Sequence, residues 1–451
     1  MGRSSQSALP VNARQSLEKL VATRRGADVF EPELPTVSRF HAMTDFTTLP
    51  GYQEVKIQRS AAETLGIDNP FFRTHSVRAG ATTVIDGATY DNFSSYDYLG
   101  LNGHPSVGIA AKGAIDDYGT SSSASRVVAG ERPVHQELEA KLAAHYGQEA
   151  CAVFVSGHAT NVSTIGALMG PRDLILHDQL AHNSIIMGAT MSRAERRSFA
   201  HNDIASLEQL LVSLRPQFKR VLIVVEGLYS MDGDVPDLAA LIALKHRHGA
   251  WLMVDDAHGL GVLGHDGAGL FEHADIDPRS VDIWMGTLSK TLSSCGGYIA
   301  GCAALIEFLK CTSGGFVYSV GLPPAMAAAA SAALDALHAE PERVARLREN
   351  GALFCQVARE HNLDIGTTTG LAVIPVIVYD SLVAVVLSQK MFERGVNVQP
   401  IIHPAVPERT SRLRFFITSE HTAEQIRRTV AIVAEELAAV GDSRAILKRL
   451  K

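Results

Sequence analysis

Four short apolar segments in the middle of the chain constrain its fold more than any other feature. They cover residues 174–176, 221–225, 250–254 and 283–285, and the last three are separated by stretches of helical character such as residues 237–248. This alternation of strands and helices favours an α/β fold with a mostly parallel sheet covered on both faces. Ligands of such folds bind beyond the carboxyl ends of the strands. We therefore expect the functional residues at those ends.

The chain of 451 residues is long enough for more than one domain. We predict an N-terminal arm and pre-core segment at 1–80, in which residues 1 to about 50 are flexible or loosely docked because they are polar and interrupted by proline. A large domain is predicted at 81–335 and a smaller C-terminal α/β domain at 336–451. In the smaller domain we expect a long charged helix and then strands and helices at the positions that follow: strand 372–379, helix 382–394, strand 412–418 and helix 422–438.

Composition excludes several classes of function. The net charge is −7 and no large cluster of Lys and Arg is present, which argues against nucleic acid as a partner. No apolar run approaches the roughly 20 residues of a transmembrane helix, and no signal peptide is recognisable. The five cysteines form no CxxC pair, so we expect no metal site and a reducing, cytoplasmic setting.

Two predicted strands end in residues with catalytic chemistry. The segment 282–290 leads through Thr287 to Lys290, and the strand at 250–254 runs into Asp255 and His258. A lysine can bond to an aldehyde cofactor, a carboxylate can hold a pyridine nitrogen protonated, and an imidazole can reach the phenolic oxygen of the ring. Together these residues match the requirements of a pyridoxal phosphate site.

A phosphate-binding position is also recognisable. Ser156, Gly157 and His158 lie between a predicted strand and a predicted helix, where backbone N–H groups can bind an anion. Thr287 can add a hydroxyl. Each of these residues alone is more simply explained as a turn or a helix cap. Because side chains alternate along a strand, only one of Asp255 and the adjacent Asp256 can face the cofactor.

Beyond these residues, the chain resembles the α-oxoamine synthase family of fold-type I pyridoxal phosphate enzymes from about residue 80 to residue 438. The likeness rests on seven segments, at 92–101, 134–139, 226–234, 255–259, 287–290, 318–324 and 412–414. The resemblance implies a large domain with a mostly parallel sheet covered by helices, a smaller C-terminal α/β domain, and pyridoxal 5′-phosphate as the cofactor.

The resemblance also implies roles for the cofactor-binding residues. It gives Lys290 the covalent bond to the cofactor, Asp255 the pyridine nitrogen, and His258 a place near the phenolic oxygen. His182 matches the histidine that stacks on the ring, and Ser230 matches a serine that contacts the cofactor. Gly157 and His158, with Ser156 before them, match the residues beside the phosphate, and Thr287 matches its hydroxyl ligand.

Other matched residues concern the substrate and the second subunit. Tyr318 and Ser319 match a segment that reaches the phosphate of the neighbouring subunit, which implies a homodimer with shared sites. Arg414 matches the arginine that receives the substrate carboxylate. Many family members have Asn where this chain has Tyr96, and Tyr at that position is similar to serine palmitoyltransferase and to polyketide-associated members. Ser123 lies in a serine-rich stretch at 120–126 that replaces the usual glycine-rich one and lines the substrate region.

The resemblance therefore implies a decarboxylating Claisen-type condensation of a small amino acid with an acyl thioester. Serine, glycine and alanine stay open as the amino acid, with Tyr96 favouring chemistry like that of serine palmitoyltransferase or carrier-dependent enzymes. Coenzyme A and an acyl-carrier protein stay open as the acyl carrier. Two alternatives are an aminotransferase on the same fold, against which the whole set of matched segments argues, and a non-catalytic partner subunit, against which the retained Lys290, Asp255 and His182 argue.

Overall fold

The structure is a computed structural model that describes residues 44–64, 66–441 and 446. The chain divides into two compact units, one holding the described residues up to Gly66 and the other beginning at Ile67. The first unit contains a 3-10 turn, Phe46–Thr48, and helix α1, Pro50–Thr64. Most of the predicted N-terminal arm, residues 1–43, lies outside the described residues.

The second unit contains all the strands of the described residues. In chain order they are β1 Thr82–Ile85, β2 Ala88–Asn92, β3 Ala150–Phe154, β4 Leu174–Asp178, β5 Glu195–Phe199, β6 Val221–Glu226, β7 Trp251–Asp255, β8 Ile283–Thr287, β9 Gly297–Gly301, β10 Val373–Tyr379, β11 Val396–Asn397, β12 Gln399–Ile401 and β13 Ser411–Phe416.

The helices of the second unit surround these strands. They are α2 Pro105–Tyr118, α3 Pro133–His145, α4 Gly157–Leu168, α5 Asn183–Ser192, α6 Ile204–Leu214, α7 Leu238–His248, α8 Leu270–His273, α9 Ala303–Thr312, α10 Gly314–Val317, α11 Pro324–Ala339, α12 Glu342–Glu360, α13 Ser381–Glu393 and α14 Ala423–Val440. Short 3-10 turns cover Leu101–Gly103, Arg215–Gln217 and Pro278–Ser280, and a π-helical turn covers Arg126–Gly130.

A seven-stranded sheet forms the centre of this unit, in the order β3-β9-β8-β7-β6-β4-β5. The neighbouring strands from β8 to β5 pair in parallel, and β9 is antiparallel to both of its neighbours. Strands β4, β6 and β8 are buried along their whole length, as expected for a sheet covered on both faces. The prediction of a mostly parallel α/β sheet is confirmed.

The C-terminal part of the chain contains a three-stranded antiparallel sheet in the order β10-β13-β12. Strands β10 and β13 and the helices α13 and α14 lie within one or two residues of the predicted positions, whereas the short strand β12 was not predicted. The predicted charged helix is α12, which follows α11 after Pro341. Strand β2 of the N-terminal hairpin pairs in parallel with β11 of the C-terminal part. The domain boundaries at 80 and 335 stay a prediction.

The hairpin of β1 and β2 depends on its two-residue turn. Asp86 has φ 48° and Gly87 has φ 78°, both in the left-handed region. A type I′ turn needs positive φ at both central residues, and its twist matches that of paired strands. The described helices include none with the length and apolar character needed to span a membrane.

Candidate active site

The carboxyl ends of three neighbouring strands bring the predicted residues to one edge of the central sheet. Glu226 ends β6, Asp255 ends β7 and Thr287 ends β8. Glu226 lies directly opposite Asp255 in the strand register, and Asp255 lies opposite Met285. Lys290 follows three residues after Thr287. Parallel strands therefore collect two carboxyl groups, a hydroxyl and an amine at this edge.

Asp255 is held in one orientation by two donors. Asn161 Nδ2 donates to its Oδ2 at 2.7 Å, and the backbone N of Ala257 donates to its Oδ1 at 3.1 Å. Asp256 belongs to a separate buried group, where its Oδ2 accepts from Tyr146 Oη at 3.3 Å and from the backbone N of Leu270 at 3.3 Å. Only one of the two neighbouring aspartates therefore faces the strand-end site, as strand alternation predicts.

His182 belongs to the same hydrogen-bond network as Asp255. Its Nδ1 lies 2.7 Å from Ser184 Oγ, and that oxygen accepts from Asn161 Nδ2 at 2.9 Å. The backbone N of Ser184 also donates to His182 Nδ1, at 3.2 Å. Desolvation is the main cause that lowers the pKa of His182, so the neutral imidazole is favoured. A neutral, partly exposed ring fixed at one edge suits stacking on an aromatic ring.

The predicted phosphate position lies at the N-terminus of α4. Ser156 caps this helix, with its Oγ accepting from the backbone N of Ala159 at 3.4 Å. A Cβ atom at Gly157 would lie only 2.9 Å from Thr287 Oγ1. Glycine therefore lets the helix end approach the Thr287 hydroxyl closely, so that backbone N–H groups and this hydroxyl can bind the same anionic group. The ring of His158 lies 6.4 Å from that of His182, centroid to centroid.

Lys290 lines a cavity of about 240 Å³. Its Nζ lies 5.7 Å from the centroid of the Tyr96 ring. Burial lowers the pKa of Lys290 to about 8, against the charge of Asp255, which favours the protonated amine. The remaining residues of the lining are mostly hydroxyl and polar side chains: Ser94, Ser95, Asp97, Asn102, Ser289, Ser293 and Ser294.

His258 lies between two tyrosines of the segment before α2. Its Nδ1 is 2.6 Å from the hydroxyl of the fully buried Tyr98, and its ring centroid is 6.1 Å from that of Tyr96. Burial lowers the pKa of His258 well below its usual value, so the ring is neutral. Tyr96 also packs edge-on against Phe416, with a centroid distance of 4.8 Å.

Arg414 reaches the site from β13. Its Nη1 donates to the backbone O of Ser230 at 3.0 Å, and its guanidinium carbon lies 4.6 Å from the centroid of the Phe416 ring. Nε is buried and has no hydrogen-bond partner in the described part of the chain. That edge of the guanidinium can therefore bind a carboxylate in the bidentate manner. Ser230 is tied to the strand ends, since its backbone N donates to Glu226 Oε2 at 3.3 Å.

Three predicted residues lie apart from this constellation in the single chain. Tyr318 is 89% exposed, and neither it nor Ser319 lines the cavity at Lys290. Ser123 is also exposed, with φ 57°, and lies outside the lining of that cavity. Their roles stay predictions that depend on a second subunit or on the substrate.

Three residues at the site had no role assigned from sequence. Asn161 and Ser184 join Asp255 to His182, and Glu226 lies beside Asp255. Asn161 follows Gly157 by one helical turn, so helical periodicity places both on one face of α4. Glu226 ends a buried strand just as Asp255 does. Burial raises the pKa of Glu226 to about 8, and the neighbouring Asp255 adds to this effect.

These residues fit pyridoxal phosphate. The close approach of Gly157 to Thr287 brings backbone N–H groups and a hydroxyl together, as a phosphate would require, and Asp255 would pair with the ring nitrogen. Glu226 Oε1 is buried and lacks a hydrogen-bond partner among residues 44–64 and 66–441. This oxygen can therefore form a hydrogen bond with a bound group. Lys290 supplies the amine.

Comparisons with known proteins cover the same segments. The family profile for aminotransferase class I and II matches residues 89–433. An 8-amino-7-oxononanoate synthase of Geobacter sulfurreducens is 42% identical over 366 residues, which cover 80% of this chain and 92% of that protein. An 8-amino-7-oxononanoate synthase of Bacillus pumilus is 36% identical over 87% of this chain and 98% of its own length.

Solved structures show the same relationship. Serine palmitoyltransferase of Sphingomonas wittichii matches with a TM-score of 0.83 and 31% identity, covering 88% of this chain and 99% of that chain. The 8-amino-7-oxononanoate synthase of Francisella tularensis matches with a TM-score of 0.67 and 25% identity, covering 77% of this chain and 98% of that chain. The chain therefore belongs to the aminotransferase class I and II family and, within it, to the fold-type I, pyridoxal phosphate-dependent α-oxoamine synthases.

Proposed function

We propose that this chain catalyses the decarboxylating condensation of a small amino acid with an acyl thioester, which yields an α-amino ketone. The observation that carries the proposal is the placement of Lys290, Asp255 and the buried, unpaired Nε of Arg414 around one sheet edge. When bound, pyridoxal phosphate supplies an aldehyde that reacts with amines and a ring that accepts electrons from the substrate carbon. Overall, a carbon–carbon bond forms while carbon dioxide and the thiol leave.

Lys290 is the proton carrier of this proposal. Its pKa of about 8 leaves a neutral fraction of roughly one tenth at pH 7, far more than an unperturbed lysine has. A neutral Nζ can take the proton from the substrate Cα, and the protonated amine can later return a proton. The cavity at Lys290 is small, so the substrate carbon can be held near this nitrogen.

Arg414 and Asp255 provide orientation and electrostatics. A bidentate contact between the guanidinium and the substrate carboxylate would fix the orientation of the substrate and so decide which bond at Cα is presented to Lys290. Asp255 would hold the ring nitrogen of the cofactor protonated, and Asn161 holds the Asp255 carboxylate in position. Glu226, whose pKa burial raises to about 8, stays protonated at neutral pH and adds no second negative charge beside Asp255.

For the amino acid we propose serine, with glycine and alanine as the alternatives. The cavity at Lys290 has several hydroxyl groups in its lining, and a site with hydrogen-bonding groups favours a substrate that carries a hydroxyl. Tyr96 contributes a further polar tip to this lining. Both coenzyme A and a carrier protein are compatible with this proposal as the acyl carrier.

We also infer a homodimer with shared sites. Four exposed apolar side chains lie on two adjoining segments: Val127, Val128, Tyr318 and Val320. The segments are joined by a hydrogen bond from the backbone N of Gly321 to the backbone O of Ala124, at 2.9 Å. Contiguous exposed apolar surface of this kind supports a protein interface. Three exposed free thiols, at Cys295, Cys302 and Cys311, support a reducing cytoplasmic setting.

The test is a substrate screen with the protein loaded with pyridoxal phosphate. Serine, glycine and alanine are each mixed with palmitoyl-coenzyme A or pimeloyl-coenzyme A, and thiol release is followed with a chromogenic disulfide reagent. We expect thiol release that depends on one amino acid and is strongest with serine. Lys290→Ala should abolish it while the circular dichroism spectrum stays unchanged.

Other outcomes separate the alternatives. Release with alanine and pimeloyl-coenzyme A alone would reject serine and keep the condensation. Conversion of the cofactor to its amine form by an amino acid without a thioester would instead show an aminotransferase. No turnover of any pair, and no visible absorbance band after addition of the cofactor, would favour a non-catalytic subunit.

A further inference from the structure

A second and larger cavity lies on the surface of the same unit. Its volume is about 560 Å³ and its lining contains three arginines against one carboxylate: Arg78, Gly80, Ala81, Thr82, Arg343, Arg346, Ser419, Glu420, Thr422 and Gln425. The whole chain carries a net charge of −7. A cavity with a local excess of guanidinium groups in an acidic protein favours an anionic ligand.

The arginines are only partly neutralised by the protein. Arg78 Nη2 lies 3.5 Å from Glu420 Oε2, a long contact between two partly exposed side chains. Arg343 pairs through Nε with Glu340 at 2.6 Å and donates from Nη1 to the backbone O of Leu99 at 3.0 Å, which fixes its guanidinium at the cavity wall. Arg346 is exposed and makes no hydrogen bond or ion pair with the residues that the structure describes.

The position of Arg343 opposes the local helix dipole. Arg343 lies in the first turn of α12, which begins at Glu342, and Arg346 follows in the second turn. Cations near a helix N-terminus are unfavourable by a few tenths of a kcal/mol, because the exposed N–H groups there carry a partial positive charge. A bound anion would reverse this penalty, since it would interact favourably with both the helix end and the guanidinium groups.

A buried hydroxyl gives an independent indication of a ligand. Ser419 is only 5% exposed and contributes to the lining of the cavity. Its Oγ is buried and has no hydrogen-bond partner within the described ranges. Nearly all buried polar atoms in folded proteins are hydrogen-bonded. An unpaired hydroxyl at a cavity wall therefore indicates a hydrogen bond to a ligand or to a water molecule. A hydroxyl and guanidinium groups are together the usual ligands of a phosphoryl group.

The cavity is connected to the active site through one short segment. Ser419 donates from its backbone N to Tyr98 O at 2.8 Å, and Arg343 bonds to the next residue, Leu99. A Cβ atom at Gly103 would overlap Arg78 Nη1 at 1.5 Å, so Arg78 packs directly on this turn. Asp97 and Asn102 of the same segment line the cavity at Lys290. The segment 97–103 therefore separates the two cavities.

We propose that this arginine-lined cavity binds a phosphoryl group. Arg346, Arg343 and Arg78 supply the charge, and Ser419 Oγ supplies a hydrogen bond. The proposal does not depend on the condensation reaction or on the identity of the amino acid. The phosphoryl group can come from two sources, the phosphates of a coenzyme A thioester or a free phosphate or nucleotide that binds beside the segment 97–103.

Isothermal titration calorimetry on the protein loaded with pyridoxal phosphate tests the site directly. The probes are inorganic phosphate, adenosine 3′,5′-bisphosphate and coenzyme A, each in a chloride buffer without amino acid. We expect at least one of these probes to bind. Arg346→Glu should weaken its binding about tenfold or more, because it replaces a charge-assisted contact with repulsion. Arg346 is exposed and makes no hydrogen bond or ion pair with the described residues, so the variant should keep its fold.

A matched control is available on the same helix. Arg359 is exposed near the C-terminal end of α12 and lies outside the cavity, so Arg359→Glu should change the affinity by less than about twofold. Ser419→Ala should weaken binding by a smaller factor than Arg346→Glu. Equal weakening by Arg346→Glu and Arg359→Glu, or no binding of any probe, would overturn the proposal.

Steady-state kinetics then distinguish the two sources. If the site holds the phosphates of the donor, Arg346→Glu raises KM for a coenzyme A thioester about tenfold and leaves KM for the amino acid unchanged. If the site holds a free phosphate or nucleotide, the variant loses binding of the probe while KM for the thioester is unchanged. Because calorimetry needs no turnover, a failure of the proposed reaction would leave this test intact.

Discussion

At the scale of single residues, the site contains two carboxyl groups, those of Asp255 and Glu226, in different hydrogen-bonding environments. Asp255 and Glu226 lie opposite each other on adjacent strands, yet only Asp255 is held by side-chain and backbone donors on both of its oxygens. Glu226 accepts from the backbone N of Ser230, and its other oxygen is buried without a partner among the described residues. Burial raises the pKa of Glu226 to about 8, which lets two carboxyl groups share one sheet edge with a single charge.

A substitution of Glu226 by glutamine tests this assignment. Folding raises the pKa of Glu226 from 4.5 to about 8, so the folded chain holds this proton more tightly than the unfolded chain. The free energy of unfolding therefore falls as the pH rises from the lower to the higher of these two pKa values. Above the higher pKa value it no longer depends on this group. Glu226→Gln removes this titration and should keep activity within about threefold at neutral pH, because the neutral amide replaces a neutral acid.

Urea unfolding of wild type and Glu226→Gln at about pH 5 and about pH 8 provides the measurement. The stability of the glutamine variant relative to wild type should increase by about 2 to 4 kcal/mol between the two values. An unchanged difference between the two proteins would mean that Glu226 is ionised in the folded state. Glu393→Gln, at an exposed position on α13, serves as the control and should show no such increase.

Most of the residues with catalytic chemistry could be predicted from the sequence. The residues that hold them in position could not. Lys290, Asp255 and His258 are recognisable because each ends a strand or follows a strand end by three residues. Asn161 and Ser184 are small polar residues inside helical segments, where most residues of these types have only local hydrogen bonds. Their link to Asp255 depends on the distance between two helices and a strand end, which no local pattern encodes.

At the scale of elements, strand β13 carries two arginines that hold one loop. Arg412 is buried and donates from Nη1 to Asp232 Oδ1 at 2.6 Å and to the backbone O of Met231 at 2.9 Å. Arg414 donates to the backbone O of Ser230, two residues earlier in the same loop. Arg412 is therefore a positioning residue in this structure. Its pair with Asp232 holds the loop against which the guanidinium of Arg414 is oriented.

Asp232→Asn should disturb substrate binding more than chemistry. The amide keeps the shape but loses the charge that pairs with Arg412, so the loop and Arg414 become less well fixed. We expect KM for the amino acid to rise about tenfold, while kcat and KM for the thioester stay within about threefold. Asp266→Asn, at an exposed loop position, is the matched control and should leave all three parameters unchanged.

If kcat changes tenfold instead, or if KM rises equally for both substrates, a positioning role for this ion pair is rejected. Thermal unfolding of the same variant separates this outcome from general damage. A loss of about 1 to 3 kcal/mol is expected from breaking a largely buried pair. A loss of this size does not unfold a domain that is otherwise intact.

The strands also show which elements a local sequence pattern can predict and which it cannot. Buried parallel strands such as β6 are continuous apolar runs, and they were predicted within one or two residues. Strand β5 consists largely of charged residues, since it lies at the edge of the sheet, and β9 begins and ends with glycine. Neither resembles an apolar strand in sequence. Their pairing is decided by the neighbouring strands β4 and β8, which a local pattern does not contain.

At the scale of the whole molecule, Tyr318 and Ser319 bear on the proposed homodimer with shared sites. Tyr318 and Ser319 lie outside the cavity at Lys290 in the single chain, and Tyr318 is largely exposed. If they bind the cofactor phosphate of a second subunit, each complete site needs residues from both chains. Lys290 and Ser319 would then act in the same site only when they belong to different subunits.

Subunit complementation tests this arrangement. Lys290→Ala removes the amine of one chain, and Ser319→Asp places a negative charge beside the phosphate of the other. Each variant alone should be inactive. After unfolding and refolding together at equal concentrations, half of the dimers should be mixed and each should hold one intact site, so about a quarter of wild-type activity should return. A mixture as inactive as its components would contradict shared sites.

The central claim is that one chain joins an amino acid to an acyl group with loss of the amino acid's carboxylate. The most direct measurement is the ratio of carbon dioxide to thiol released, with carboxyl-labelled serine and palmitoyl-coenzyme A as substrates and Lys290→Ala as the blank. We predict equal amounts of the two products, both of which require both substrates and Lys290. Thiol release without carbon dioxide, or carbon dioxide release that does not need the thioester, would contradict the proposed condensation.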